Sequence, residues 1–96
     1  MRQIIVYDIP EDRLRDRVSK VIQDYGFLRI QYSVFLGSRT QNVLEMLSME
    51  LKDIVKRKEA DIRFYQQCDK CADRTMIVSK IGDHDREEVA FPCHAK

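Results

Sequence analysis

The sequence predicts a two-layer α+β sandwich, with one sheet carrying two helices on a single face. Three observations lead there. The hydrophobic period alternates between that of a strand and that of a helix along the chain. Glycine and proline fall between the periodic segments. The segments also come in the order strand, helix, extended stretch, helix, strand, which gives alternating elements enough to cover one sheet face.

The first strand covers about Arg2 to Tyr7. Ile4-Ile5-Val6-Tyr7 is continuously apolar or aromatic and reads as buried on both faces, and Asp8 ends it. Pro10 suits the first turn of a helix, where its missing N–H costs nothing, and Glu11, Asp12 and Asp16 favour the positive end of the dipole. Leu14, Val18, Val21, Ile22 and Tyr25 then form one helical stripe, and Gly26 reads as the glycine just past the helix end. Phe27 to Gly37 is extended. Leu28, Ile30, Tyr32, Val34 and Leu36 alternate with Phe27, Arg29, Gln31, Ser33 and Phe35, as either one long kinked strand or two short ones. Thr40 is an N-cap for a second helix running to about Lys58, with an apolar face of Val43, Leu44, Leu47, Leu51, Ile54 and Val55. Ile62 to Tyr65 is the next strand, Gln67 to Arg74 a loop, and Thr75 to Ser79 a last strand.

With two strands in the middle, this order is the split βαβ pattern of a ferredoxin-like βαββαβ sandwich. The last strand is surplus to a four-stranded sheet, so the edge of a second subunit is its natural partner. Residues 1–81 form the domain, and residues 82–96 are a polar C-terminal tail for docking or a disordered end.

Composition narrows function less than it narrows class. Ninety-six residues make one domain, small enough for dimerisation to help its stability. The net charge of +1 leaves nucleic-acid binding to be decided by where the charges lie. No apolar run approaches the ~20 residues of a membrane span, and no signal-peptide pattern follows Met1, so a cytoplasmic protein without membrane contact is expected. Three cysteines fit reduced thiols better than a disulfide framework. Both histidines lie in the tail, which gives acyl transfer no support, and no phosphate-cradling glycine motif is present.

Asp8 is the first candidate site residue. A carboxylate at a rigid strand end could hold a hard cation such as Mg²⁺, which would activate water and neutralise charge on a scissile phosphate. An ordinary capped turn would look the same. One carboxylate is thin for a metal, and a symmetric dimer would bring a second Asp8. Arg13, Arg15, Arg17 and Lys20, extended by Arg2 and Arg29, could contact phosphates, or be a solvated face interspersed with acids. Tyr7, Tyr32 and Phe35 could stack bases or simply pack a core. Cys68 and Cys71 have the spacing of half a zinc site, with a poor second half in Cys93-His94. A redox reading would need a strand-to-helix junction, and the pair is expected between two strands.

The ordered set Val6-Tyr7-Asp8-Ile9-Pro10, Asp12 to Val18, Tyr25-Gly26-Phe27, Arg29-Ile30-Gln31-Tyr32-Ser33-Val34-Phe35 and the Cys68–Cys71 loop resembles the small CRISPR-associated Cas-two family of spacer-acquisition proteins. The resemblance covers about residues 2–80. It implies a ferredoxin-like homodimer in which Asp8 faces its symmetry mate and binds a divalent metal, Mg²⁺ or Mn²⁺. It further implies Mg²⁺-dependent endonuclease activity on RNA or DNA, and a partnership with the Cas-one integrase, in which a DNA-binding scaffold role without catalysis is the alternative. By motif position it implies site roles for Tyr7, Asp8, Arg15, Arg17, Arg29, Ser33 and Phe35.

Overall fold

The computed structural model describes residues 1–79, so the polar tail lies outside the described residues. Strand β1 (Arg2–Asp8) leads to helix α1 (Asp12–Asp24), a hairpin of β2 (Leu28–Gln31) and β3 (Val34–Gly37), helix α2 (Gln41–Val55), strand β4 (Asp61–Gln67) and a short helix α3 (Asp69–Asp73). The sheet order is β2-β3-β1-β4, and every neighbouring pair is antiparallel. This is the ferredoxin-like arrangement, with β1 hydrogen-bonded on both of its edges.

Alternation sorts the sheet into two unlike faces. Ile5, Tyr7 and Phe35 point toward the helices and pack with Leu14, Val18, Ile22, Leu44, Leu47 and Leu51 in one core. The opposite face carries Ile4, Val6 and Val34, which are half-buried, with Leu28 and Tyr65 about half exposed at 47% and 51%. β1 is therefore buried fully on one face only, although its continuous apolar run predicts burial on both. The chain supplies a helical layer to one side. On the other side α3 covers one end, where Ala72 is buried and its carbonyl accepts from the Arg2 guanidinium.

Several boundaries differ from the sequence pattern for local reasons. Helix α1 begins at Asp12 with Glu11 as N-cap, so Pro10 precedes the helix instead of opening it. The extended stretch resolves into two strands because it turns at Tyr32-Ser33, with a register irregularity between Arg29 and Gln31. Thr40 caps α2 as expected, its hydroxyl accepting from the Val43 N–H at 3.3 Å. Helix α2 stops at Val55, because Lys56 takes a positive φ of 52°, and Lys56-Arg57-Lys58 lie beyond the last turn. The loop expected after β4 contains α3. The strand expected at Thr75 to Ser79 does not form within the single chain: residues 75–79 have no regular structure, and Met76 and Val78 are exposed. A strand needs an edge to pair with, and no edge of this chain's own sheet receives the segment.

Gly26 closes α1 at a φ of +93°, which side chains rarely adopt. Arg39 reaches back to it, donating to the Tyr25 carbonyl at 2.8 Å and the Gly26 carbonyl at 3.2 Å. A β-carbon on Gly26 would sit 1.7 Å from the Arg39 guanidinium. Gly26→Ala is expected to lower unfolding free energy by about 1–3 kcal/mol, from backbone strain and from expelling the capping arginine. Urea unfolding of the two proteins measures this.

Candidate functional site

Asp8 is the last residue of β1, and its parity puts it on the open sheet face. Antiparallel register places Asp61, the first residue of β4, directly opposite. Residues so opposed share a face, with β-carbons about 4.5–5.5 Å apart. One chain thus presents two carboxylates at one strand end, although the sequence pattern offers one. Arg63, two residues along β4, stands on the same face and clasps Asp61 in a fork, Nε to Oδ1 at 2.9 Å and Nη2 to Oδ2 at 3.1 Å. The hydrogen bonds from Arg63 hold the Asp61 carboxyl below its ordinary range. Val6, Tyr7, Asp8, Asp61, Arg63 and Tyr65 line an open groove of about 300 Å³.

The donor set suits a hard cation. Mg²⁺ accepts carboxylate oxygens, keeps several waters and uses one or two protein carboxylates with substrate phosphates. Among the described residues no three His, Cys, Asp or Glu side chains gather into a closed cage. An exposed pair is an open site, with coordination left for water and a phosphate.

The other expected site residues form a second group on the helix-bearing side. Tyr7 and Phe35 stack with ring centroids 6.0 Å apart, and both are core residues, at 4% and 0% exposed. Phe35 is thus part of the core, with no exposed surface. The Arg29 guanidinium lies over the Phe35 ring at 5.2 Å and the Tyr32 ring at 5.8 Å, and it donates to the Ser19 hydroxyl. Arg15 covers the other side of this cluster, 5.6 Å from the Tyr32 centroid, with its Nε donating to the Tyr32 hydroxyl at 3.2 Å. Its other nitrogens reach the Ile9 carbonyl at 2.7 Å and the Asp12 carboxylate. Arg15 thereby ties the chain just after Asp8 to α1 and to the β2–β3 turn. Ser33 contributes through its backbone, its carbonyl accepting from the Tyr7 N–H at 3.2 Å.

Arg13 and Arg17 project from the exposed face of α1, together with Lys20. Arg17 shares a groove with Asp53, Ile54, Lys56 and Lys58 between α1 and the end of α2. Arg2 does not extend this patch, because it is buried at 5% exposure against Ala72. Asp61 and Arg63 are the site residues that sequence reasoning missed. A strand begun one residue earlier, at Asp61, would have put an acid and an arginine on alternate positions of one face.

Comparison with known proteins agrees with this architecture. The family model described as CRISPR associated protein Cas2 matches residues 1–75. The chain is 39% identical over 70 residues to the CRISPR-associated endoribonuclease Cas2 of Desulforudis audaxviator, spanning 73% of this chain and 66% of that protein. It is 34% identical over 84 residues to the CRISPR-associated endoribonuclease Cas2 2 of Chloroflexus aurantiacus, spanning 86% of this chain and 99% of that one. The crystal structure of Streptococcus pyogenes Cas2 superposes with a TM-score of 0.69 at 27% identity, covering 82% of this chain and 100% of the other. No helix among the described residues is long and apolar enough to cross a membrane. A family match over most of the chain and a shared fold lead to one conclusion: this protein belongs to the CRISPR associated protein Cas2 family.

Proposed function

We propose that the protein is a metal-dependent endonuclease of RNA or DNA that works as a homodimer in spacer acquisition, alongside the Cas-one integrase. The observation that carries the nuclease reading is the Asp8–Asp61 pair on the open sheet face, with Arg63 beside it. The relatives' names, endoribonuclease in each case, point the same way. Asp8 and Asp61 would hold Mg²⁺, or Mn²⁺ in its place, and the bound cation would supply Lewis-acid activation of water and neutralise phosphate charge. Arg63 keeps Asp61 ionised and offers a planar fork to a phosphate once Asp61 is engaged elsewhere. Arg15 fixes the chain after Asp8. Tyr7, Arg29, Ser33 and Phe35 hold the β1–β3 framework behind it, and Arg13 and Arg17 reach toward nucleic-acid phosphates.

The half-covered sheet face supports the homodimer. Leu28 and Tyr65 are too exposed for residues of a finished core, and the apolar Met76-Ile77-Val78 has no ladder partner among the described residues. Stacking two such faces, with each chain's 75–79 segment pairing at the other's sheet edge, would satisfy both.

A scaffold reading that clamps DNA without cutting draws on Arg13 and Arg17, which form no ion pair among the described residues and stand apart from the carboxylates. Two experiments separate the readings. Asp8→Asn should reduce Mg²⁺-dependent cleavage by about 100-fold or more, and Asp61→Asn by about 10-fold, with both proteins retaining parental unfolding curves. Equal cleavage by Asp8→Asn and parent would place the activity elsewhere. Arg13→Ala or Arg17→Ala should weaken DNA binding at every sequence tested. Each should lower the slope of log affinity against log salt by about 1, as measured by titration at several salt concentrations. DNA affinity of Asp8→Asn unchanged from the parent, together with lost cleavage, assigns cutting and clamping to separate surfaces.

A further inference from the structure

The Cys68 and Cys71 pair sits at the strand-to-helix junction that the sequence pattern does not foresee. β4 ends at Gln67, Cys68 is the N-cap of α3 with φ −72° and ψ 167°, and Cys71 lies one helical turn on. The Cys68 Sγ accepts from the Cys71 N–H at 3.4 Å, so the first sulfur is folded over the backbone of the second. Both side chains are exposed. The surrounding turn is firmly held. The Ala72 N–H donates to the Cys68 carbonyl at 2.9 Å. Thr75 Oγ1 accepts from Gln67 Nε2 and donates to the Cys71 carbonyl, each at 3.2 Å. One helical turn between N-cap and third residue is compatible with the ~4.4–6.8 Å Cα separation that a disulfide requires.

We propose that Cys68 and Cys71 form a reversible dithiol–disulfide pair, with Cys68 as the attacking thiol and Cys71 as the resolving thiol, oxidised by a low-molecular-weight disulfide of the glutathione class. The electronic asymmetry agrees with these roles. Hydrogen bonds from the Cys71 backbone and thiol pull Cys68 below its ordinary range, and the same contact pushes Cys71 above its own. An accessible thiolate next to a resolving thiol is the arrangement redox-responsive cysteines use. In the first step the Cys68 thiolate attacks one sulfur of the oxidant, its S–S bond breaks, and one thiolate leaves. In the second, Cys71 loses its proton and attacks Cys68 Sγ, releasing the other thiolate. The protein gives up two protons and two electrons, and the oxidant becomes two thiols. The product closes a ring at the head of α3. The inference does not depend on the nuclease reading.

The test uses the full chain and its Cys93→Ser variant, since Cys93 lies outside the described residues. Each is incubated with oxidised glutathione, alkylated, and read by intact mass and peptide mapping. The expected result is loss of two hydrogens with a Cys68–Cys71 link in both proteins. Cys71→Ser should stop at a persistent glutathione adduct on Cys68, and Cys68→Ser should form its adduct on Cys71 about 10-fold more slowly. Serine also caps helices, so Cys68→Ser keeps α3 and isolates the thiol's chemistry. Adducts persisting on both thiols of the parent, a Cys68–Cys93 link, equal rates in the two variants, or zinc co-purifying on the pair and blocking oxidation would each overturn the proposal.

Discussion

The structure depends on β1 being hydrogen-bonded along both edges. A central strand has no freedom to slip, because a shift of one residue would carry Ile5 and Tyr7 out of the helix-facing core and Ile4 and Val6 into it. The same register fixes what stands at the strand's end. With Ile5 opposite Phe35 on one side and Phe64 on the other, Asp8 falls opposite Asp61. Packing of the core thus determines the spacing of two carboxylates on the opposite face.

Two like charges directly across a ladder destabilise it by a few tenths to about 1 kcal/mol. Arg63 offsets this through its fork on Asp61, and the pair is exposed enough for water to screen the remainder. Behind the sheet, cationic and aromatic groups alternate from Arg15 through Tyr32 and Arg29 to Phe35 and Tyr7. This stack joins α1, the hairpin turn and β1, so the segment from Asp8 to Asp12 is anchored by Arg15 through the Ile9 carbonyl at one end and the Asp12 carboxylate at the other. Arg15 and Arg29 both pack against this stack, Arg29 remaining exposed like Arg13 and Arg17.

Elements with strong periodicity were legible in the sequence: the α1 stripe from Leu14 to Ile22, the Thr40 cap and the Gly26 stop all stand where their side-chain chemistry puts them. What was not legible depended on long-range pairing. Continuous apolar character at Ile4 to Tyr7 does not reveal that, among the described residues, one face has no helical layer over it, since that depends on where α1 and α2 pack. Residues 75–79 have strand composition and no ladder, because a strand is a property of two segments and the second is absent among the described residues. Asp61 escaped notice because its significance comes from the residue opposite it. Five residues of helix at Asp69–Asp73 are too few to show a helical period, and the thiol cap that starts them becomes visible only in three dimensions.

The second carboxylate changes why a dimer would matter. If Asp8 were the single acid at the strand end, a partner would be required to complete any cation site. With Asp61 held in register by seven β1–β4 residue pairs, one chain already offers the one or two carboxylates that Mg²⁺ commonly takes. The case for a partner then rests on the uncovered apolar face and the unpaired 75–79 segment, which are matters of folding stability. Carboxylate geometry set within the chain and face burial set between chains are separable requirements. A substitution at Leu28 or Tyr65 acts on the second, and one at Asp61 acts on the first.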